Sequence, residues 1–85
     1  MEKKYRFITN FKHTEEKLVL NYIALKAAHI SDFIICETAR DYFGNIVPNH
    51  LALYFASDVS EKSRELFWDA YLFAYSTLSE RGGLA

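Results

Sequence analysis

Residues 14–43, TEEKLVLNYIALKAAHISDFIICETARDYF, decide the fold, and they divide at His29. The first half reads as a helix over 14–28. Thr14 is a good N-cap, because its hydroxyl can accept a bond from an orphan amide of the first turn. Glu15 and Glu16 place negative charge at the positive end of the helix dipole. Lys17 to Ala28 has no Gly and no Pro, and consists mostly of good helix formers. Leu20, Ile23, Ala27 and Ile30 approximate a stripe for burial, widened by Leu18, Tyr22 and Leu25, with Lys17, Asn21 and Lys26 left for water.

The second half, 31–43, supports two readings. Ser31 can cap a second helix with Asp32 in its first turn, running through Phe33, Ile34, Ala39 and Phe43 to a stop at Gly44. Phe33-Ile34-Ile35-Cys36 is also a short apolar run of β-branched and aromatic residues, suited to a buried strand. Residues 37–42 continue at helical spacing without a breaker, which favours the helix.

Upstream, residues 4–11 alternate as a strand. Tyr5, Phe7, Thr9 and Phe11 fall on one face, and Lys4, Arg6, Ile8 and Asn10 on the other, with Lys12 continuing that second row. The first face suits a core. The second offers Lys, Arg and Asn, side chains that read phosphates and base edges.

Strand, capped helix, short turn and second helix, in that order, resemble the ribbon-helix-helix family of DNA-binding proteins, and within it the antitoxins paired with GNAT-type acetyltransferase toxins. The resemblance is carried by Thr14-Glu15-Glu16-Lys17, by Ala24, by Ile30-Ser31-Asp32-Phe33-Ile34, and by Ala39 and Arg40; it covers residues 4–43. Lys12 and His13 intervene between strand and cap, and Ala28-His29 occupies the turn where the family's pattern would have a typical turn residue. The resemblance implies a homodimer in which two N-terminal strands pair and enter the major groove of duplex DNA. Lys4, Arg6, Ile8 and Asn10 would then face the groove.

Downstream, Gly44-Asn45 is a break and residues 45–49 a loop, since Pro48 disfavours helix at Val47. Residues 50–56, HLALYFA, read either as a two-turn helix capped by Asn49 or as a strand buried on both faces. A helix over 59–81 follows, capped from Ser57-Asp58 or Ser60 and stopped by Gly82-Gly83. It is apolar almost all round from Leu66 to Tyr75, as befits a helix buried on several sides or lying in an interface. Trp68, Tyr71 and Tyr75 share one face of it and are the candidate partner-binding residues. The expected fold is therefore mainly α, a ribbon-helix-helix with a long C-terminal helix. Its alternative is a small α+β domain of order β-α-β-β-α.

Composition bounds the rest. Eighty-five residues make one domain, 1–85, and a chain this short buries only about 60–65% of its extended surface. A hydrophobic fraction of 51%, with seven Phe and six Tyr, exceeds what such a monomer hides and argues for a homodimer or a protein partner. Composition excludes disorder, collagen and coiled coil. Cys36 is the sole cysteine, which rules out an internal disulfide and a cysteine-built zinc site. The net charge of −1 divides unevenly: Lys3, Lys4, Arg6 and Lys12 face only Glu2 before residue 14, and acids outnumber bases beyond it. His13, His29 and His50 are isolated, Ser31-Asp32 and Ser57-Asp58 read as caps, and no phosphate loop, dinucleotide fingerprint or nucleophile elbow occurs. The expectation is a non-enzymatic cytoplasmic protein with no cofactor, no metal and no membrane segment. It would be a dimeric DNA-binding transcriptional repressor of antitoxin type or, alternatively, an α+β interaction protein, such as a phage or plasmid inhibitor of a host protein, that binds no nucleic acid.

Overall fold

A computed structural model describes residues 4–80. Five elements follow one another: β1 (Tyr5–Lys12), α1 (Glu15–Ala27), β2 (Phe33–Cys36), β3 (His50–Ala56) and α2 (Glu61–Glu80). The order is β-α-β-β-α, so the mainly α ribbon-helix-helix expectation is overturned in favour of the α+β alternative. The expected helix end at Arg81, the Gly82-Gly83 stop, and Glu2 and Lys3 of the basic arm lie outside the described residues. The described chain forms two compact units, each assembled from two separate segments: residues 4–13 with 32–58, and residues 14–31 with 59–80.

The first unit is an antiparallel sheet with strand order β1-β3-β2. Its centre is β3, the apolar run HLALYFA, which pairs with β1 along one edge and β2 along the other. Leu51, Leu53 and Phe55 project to one face and are buried; Phe11, opposite Leu51, is buried on the same face. Ala52, Tyr54 and Ala56 project to the other.

Residues 31–43 do not form a second helix. Phe33 to Cys36 pairs with β3, opposing Phe33 to Phe55, Ile34 to Tyr54, Ile35 to Leu53 and Cys36 to Ala52. Four aromatic, β-branched or small apolar residues beside an unfilled strand edge lie better in a ladder than in a helix. Ser31-Asp32 is accordingly no cap. The Asp32 carbonyl accepts the Ala56 amide at 3.0 Å, and the Tyr5 hydroxyl donates to Asp32 Oδ1 at 2.7 Å. Gly44 ends no helix either; at φ +83° it sits in the turn of the excursion between β2 and β3. Asn49 likewise caps nothing, taking φ +60°, a conformation asparagine tolerates.

The second unit is the pair α1 and α2. Thr14 caps α1 as its sequence indicates, its hydroxyl accepting from the Lys17 amide at 3.3 Å. The stop is a Schellman motif without glycine. His29 takes φ +57°, its amide donates to the Lys26 carbonyl at 3.1 Å, and the Ile30 amide reaches the Leu25 carbonyl at 2.9 Å. Ile30 and Leu25 are both buried, the apolar pair this motif favours.

The buried face of α1 is Leu20, Asn21, Ala24, Leu25 and Ala28, rotated from the expected stripe. Ile23 and Tyr22 are exposed, and Asn21, assigned to water, is 0% exposed. A helix apolar on most sides has several stripes that satisfy the same spacing, so periodicity alone does not choose among them. The side chain of Lys17 lies with its ammonium 4.7 Å from the centre of the Tyr75 ring, a cation–π contact that joins the start of α1 to the far end of α2.

Candidate interaction surfaces

The candidate DNA-reading row, Lys4, Arg6, Ile8 and Asn10, is not one surface. Between Phe7 and Thr9 the register slips, leaving Ile8 as the extra residue of a β-bulge. Directly opposed residues in an antiparallel pair share a face. Arg6 opposes Phe55 and so lies on the face of Leu51 and Leu53, whereas Asn10 opposes Ala52 and lies on the other. Alternation predicts a single row, and one inserted residue exchanges the faces beyond it. Lys4 and Arg6 are exposed, Ile8 is half-buried, and the Asn10 amide donates to the Arg40 carbonyl at 2.9 Å. β1 also pairs within the chain with β3, from Tyr5 to Lys12 except at the bulged Ile8.

On either side of the bulge, Phe7 and Asn10 join Tyr54 and Ala52 on the other face of the sheet. The Phe7 and Tyr54 rings meet edge to face, with centroids 5.7 Å apart. Arg40, Asp41 and Tyr42, from the excursion between β2 and β3, complete the wall of a pocket of about 490 Å³ over these residues. Ile34 also lies on this face, exposed, and Cys36 lies there half-buried.

The excursion is stiffened by a small set of bonds. The amides of Phe43 and Asn45 both donate to Asp41 Oδ1 at 2.9 Å. The Asp41 amide reaches the Asn45 carbonyl at 2.9 Å, and the Gly44 amide reaches the Asp41 carbonyl at 3.0 Å. Arg40 Nη1 donates to the Gly44 carbonyl at 2.8 Å, and a β-bridge joins Arg40 to Ile46. An aspartate whose side chain takes up the amides of its own turn replaces the regular ladder locally. The result is a held loop that projects apolar rings: Tyr42 is 96% exposed and Phe43 82%. Sequence reasoning missed this loop. Its available signal was an aromatic pair immediately before a glycine, which a helix reading had absorbed.

In the helix unit, the three aromatic residues expected to bind a partner are partly occupied already. Phe67, Trp68 and Tyr71 form one ring cluster, with Phe67 and Trp68 centroids 5.0 Å apart and Trp68 and Tyr71 centroids 5.8 Å apart. Tyr75 carries Lys17 on its ring, and Trp68 and Tyr75 keep part of their surface open. More open still are Leu72, 63% exposed, and Phe73, 75% exposed, which the same apolar run contains but the aromatic stripe does not. On α1, Val19 and Ile23 lie one turn apart on the side opposite the buried face, each nearly half exposed.

Among the described residues, no three His, Cys, Asp or Glu side chains come together in a way that could hold a metal ion, and no helix is long and apolar enough to cross a membrane. No protein-family model, curated protein or solved structure matches this chain.

Proposed function

We propose that this chain is a non-enzymatic interaction protein that docks another protein on the outward faces of α1 and α2. The observation that carries the reading is that α1 is apolar on two opposite sides. Leu20, Ala24, Leu25 and Ala28 serve the interior, and Val19 and Ile23 stand outward with no interior to serve. A surface helix normally keeps one apolar stripe, and a second one fits a groove in a partner, read through anchors at helical spacing. Leu72 and Phe73 extend the same character on α2. Acids and bases flank the anchors, Glu16 and Lys26 on α1 and Asp69 and Glu65 on α2, giving the polar rim that such interfaces carry.

Electrostatics supports a protein over a nucleic acid as the partner. In the described part of the sheet unit, Lys4, Arg6, Lys12 and Arg40 are balanced by Asp32, Glu37, Asp41 and Asp58. Affinity for duplex DNA comes chiefly from neutralising phosphates with an excess of positive charge. The ribbon arrangement also needs β1 to pair across a dimer, and β1 is paired with β3.

Two measurements test the reading together. Photo-crosslinking from a benzophenone side chain at position 23 or 73, in the cells that carry this protein, should give one discrete protein adduct that Leu72→Asp removes. Anisotropy of a labelled duplex should show no binding at about 50 mM or about 200 mM salt. Duplex binding that weakens steeply between those salts, and that Arg6→Ala reduces, would replace the proposal with the DNA-binding reading. Absence of any discrete adduct would remove the docking surface.

A further inference from the structure

We infer that two copies of this chain close on each other through the sheet unit, each placing Phe43 in the other's pocket over Phe7 and Tyr54. Four observations meet in one patch. The pocket of about 490 Å³ is lined by Phe7, Tyr42 and Tyr54 and lies within the usual size range of ligand sites, roughly 300–1,000 Å³. Beside it stands an apolar projection that does not enter it, since Phe43 is 82% exposed and is not among the lining residues. The backbone of the projection is held by Asp41, Arg40 and Gly44, so seating Phe43 orders little beyond its own side chain. The patch also carries one positive and one negative group side by side, Arg40 and Asp41, both at the pocket wall.

These features select a second copy over an unrelated partner. An isologous two-fold contact requires a surface complementary to itself, so that what one copy presents the other receives. A knob next to a hole meets that requirement, and so does a cation next to an anion, because a two-fold axis passing between them sets each Arg40 towards the other copy's Asp41, whose second carboxylate oxygen is not used by the loop amides. Adjacency also decides closure. Tyr42 lines the pocket while its neighbour Phe43 forms the projection, and the two rings touch edge to face at 5.4 Å. With knob and hole in one patch, both contacts form at once and the assembly stops at two; on opposite sides of the molecule they would propagate a chain. Ile34, exposed and opposite Tyr54 on the same face, adds apolar area beside the pocket.

Sedimentation of the full chain over the micromolar range tests this. The expected result is a monomer–dimer equilibrium with no larger species. Phe43→Ala should weaken it about a thousand-fold, because a central aromatic anchor is lost twice per dimer. The far-ultraviolet circular dichroism spectrum should be unchanged, since the Phe43 ring is 82% exposed and stands outside the core. Phe7→Glu, which places a charge in the pocket, should also give monomers. An equimolar mixture of the Phe43→Ala and Phe7→Glu chains should recover a heterodimer, about thirty-fold weaker than the original, because one knob and one compatible pocket remain. A monomer throughout the range, a dimer indifferent to Phe43→Ala, or growth beyond two copies would each overturn the inference. So would a mixture that stays monomeric while both variants keep their folded spectra.

Discussion

Replacing Asn21 by leucine should stabilise this protein, and the structure allows the size of the effect to be worked out. Asn21 is 0% exposed on the inner face of α1. Its Nδ2 donates to the Lys17 carbonyl at 2.8 Å, but no donor among the described residues reaches its Oδ1. A buried acceptor left without a partner costs about 1–3 kcal/mol. Removing the side-chain amide gives up one hydrogen bond of about 1 kcal/mol. That loss leaves no carbonyl orphaned, because Lys17 is four residues before Asn21 and its carbonyl is the acceptor for the Asn21 backbone amide in an α-helix. Leucine is also the better helix former, by a few tenths of a kcal/mol. Against these gains stands the larger volume of leucine, which costs roughly 1 kcal/mol where a core does not yield.

The balance favours the Asn21→Leu variant by a few tenths of a kcal/mol, a rise of about 1–3 °C in Tm for a chain of this size. Urea denaturation followed by the fluorescence of Trp68, the sole tryptophan, reads the change directly. The midpoint should rise with an unchanged slope. A lower midpoint at constant slope would refute the reasoning, since the orphaned Oδ1 would then cost less than the hydrogen bond and packing given up. The Asn21→Asp variant is the isosteric control. Burial would raise its folded-state carboxyl pKa above the ordinary value of about 3.9, so stability should be retained at low pH and lost as pH rises past that value.

Three further outcomes follow from local geometry. His29→Gly should stabilise the protein by about 0.5–1 kcal/mol in urea melts, because the left-handed conformation at φ +57° strains a residue with a Cβ but not glycine; a loss of stability would contradict the Schellman assignment. Thr14→Ala should cost about 1 kcal/mol by removing the cap on the Lys17 amide, whereas Thr14→Ser should cost much less. Asp41→Ala should speed hydrogen exchange at the Phe43 and Asn45 amides at least ten-fold while leaving β3 amides unchanged, and equal protection in both proteins would show that Oδ1 does not hold the loop.

Several parts of the fold are legible in the residues alone because their causes are local. The start of α1 is a capping side chain followed by two acids, and that chemistry operates over one turn whatever surrounds it. The body of α2 is a long run without a breaker, and β1 alternates clearly enough to be recognised as a strand. The surplus of large apolar residues also announces that some remain outside the core, as Tyr42, Phe43, Leu72 and Phe73 do.

Tertiary structure decided everything that depends on a partner distant in sequence. Phe33 to Cys36 is a strand because β3 offers it an edge, and nothing within those four residues states that such an edge exists. The faces of β1 depend on the bulge at Ile8, whose one extra residue sends Arg6 and Asn10 to opposite sides, so the row of groove-reading side chains that alternation suggests does not assemble. The buried stripe of α1 is settled by the neighbour it packs on, because a helix apolar on two sides is compatible with either. The pocket joins β1, β3 and the 40–46 loop, three segments whose meeting no local pattern encodes. Local hydrogen-bond and dipole chemistry is written over three or four residues and can be read from them. Strand pairing, side-chain facing and pocket formation arise from contacts between segments tens of residues apart, and exist only once the chain has folded.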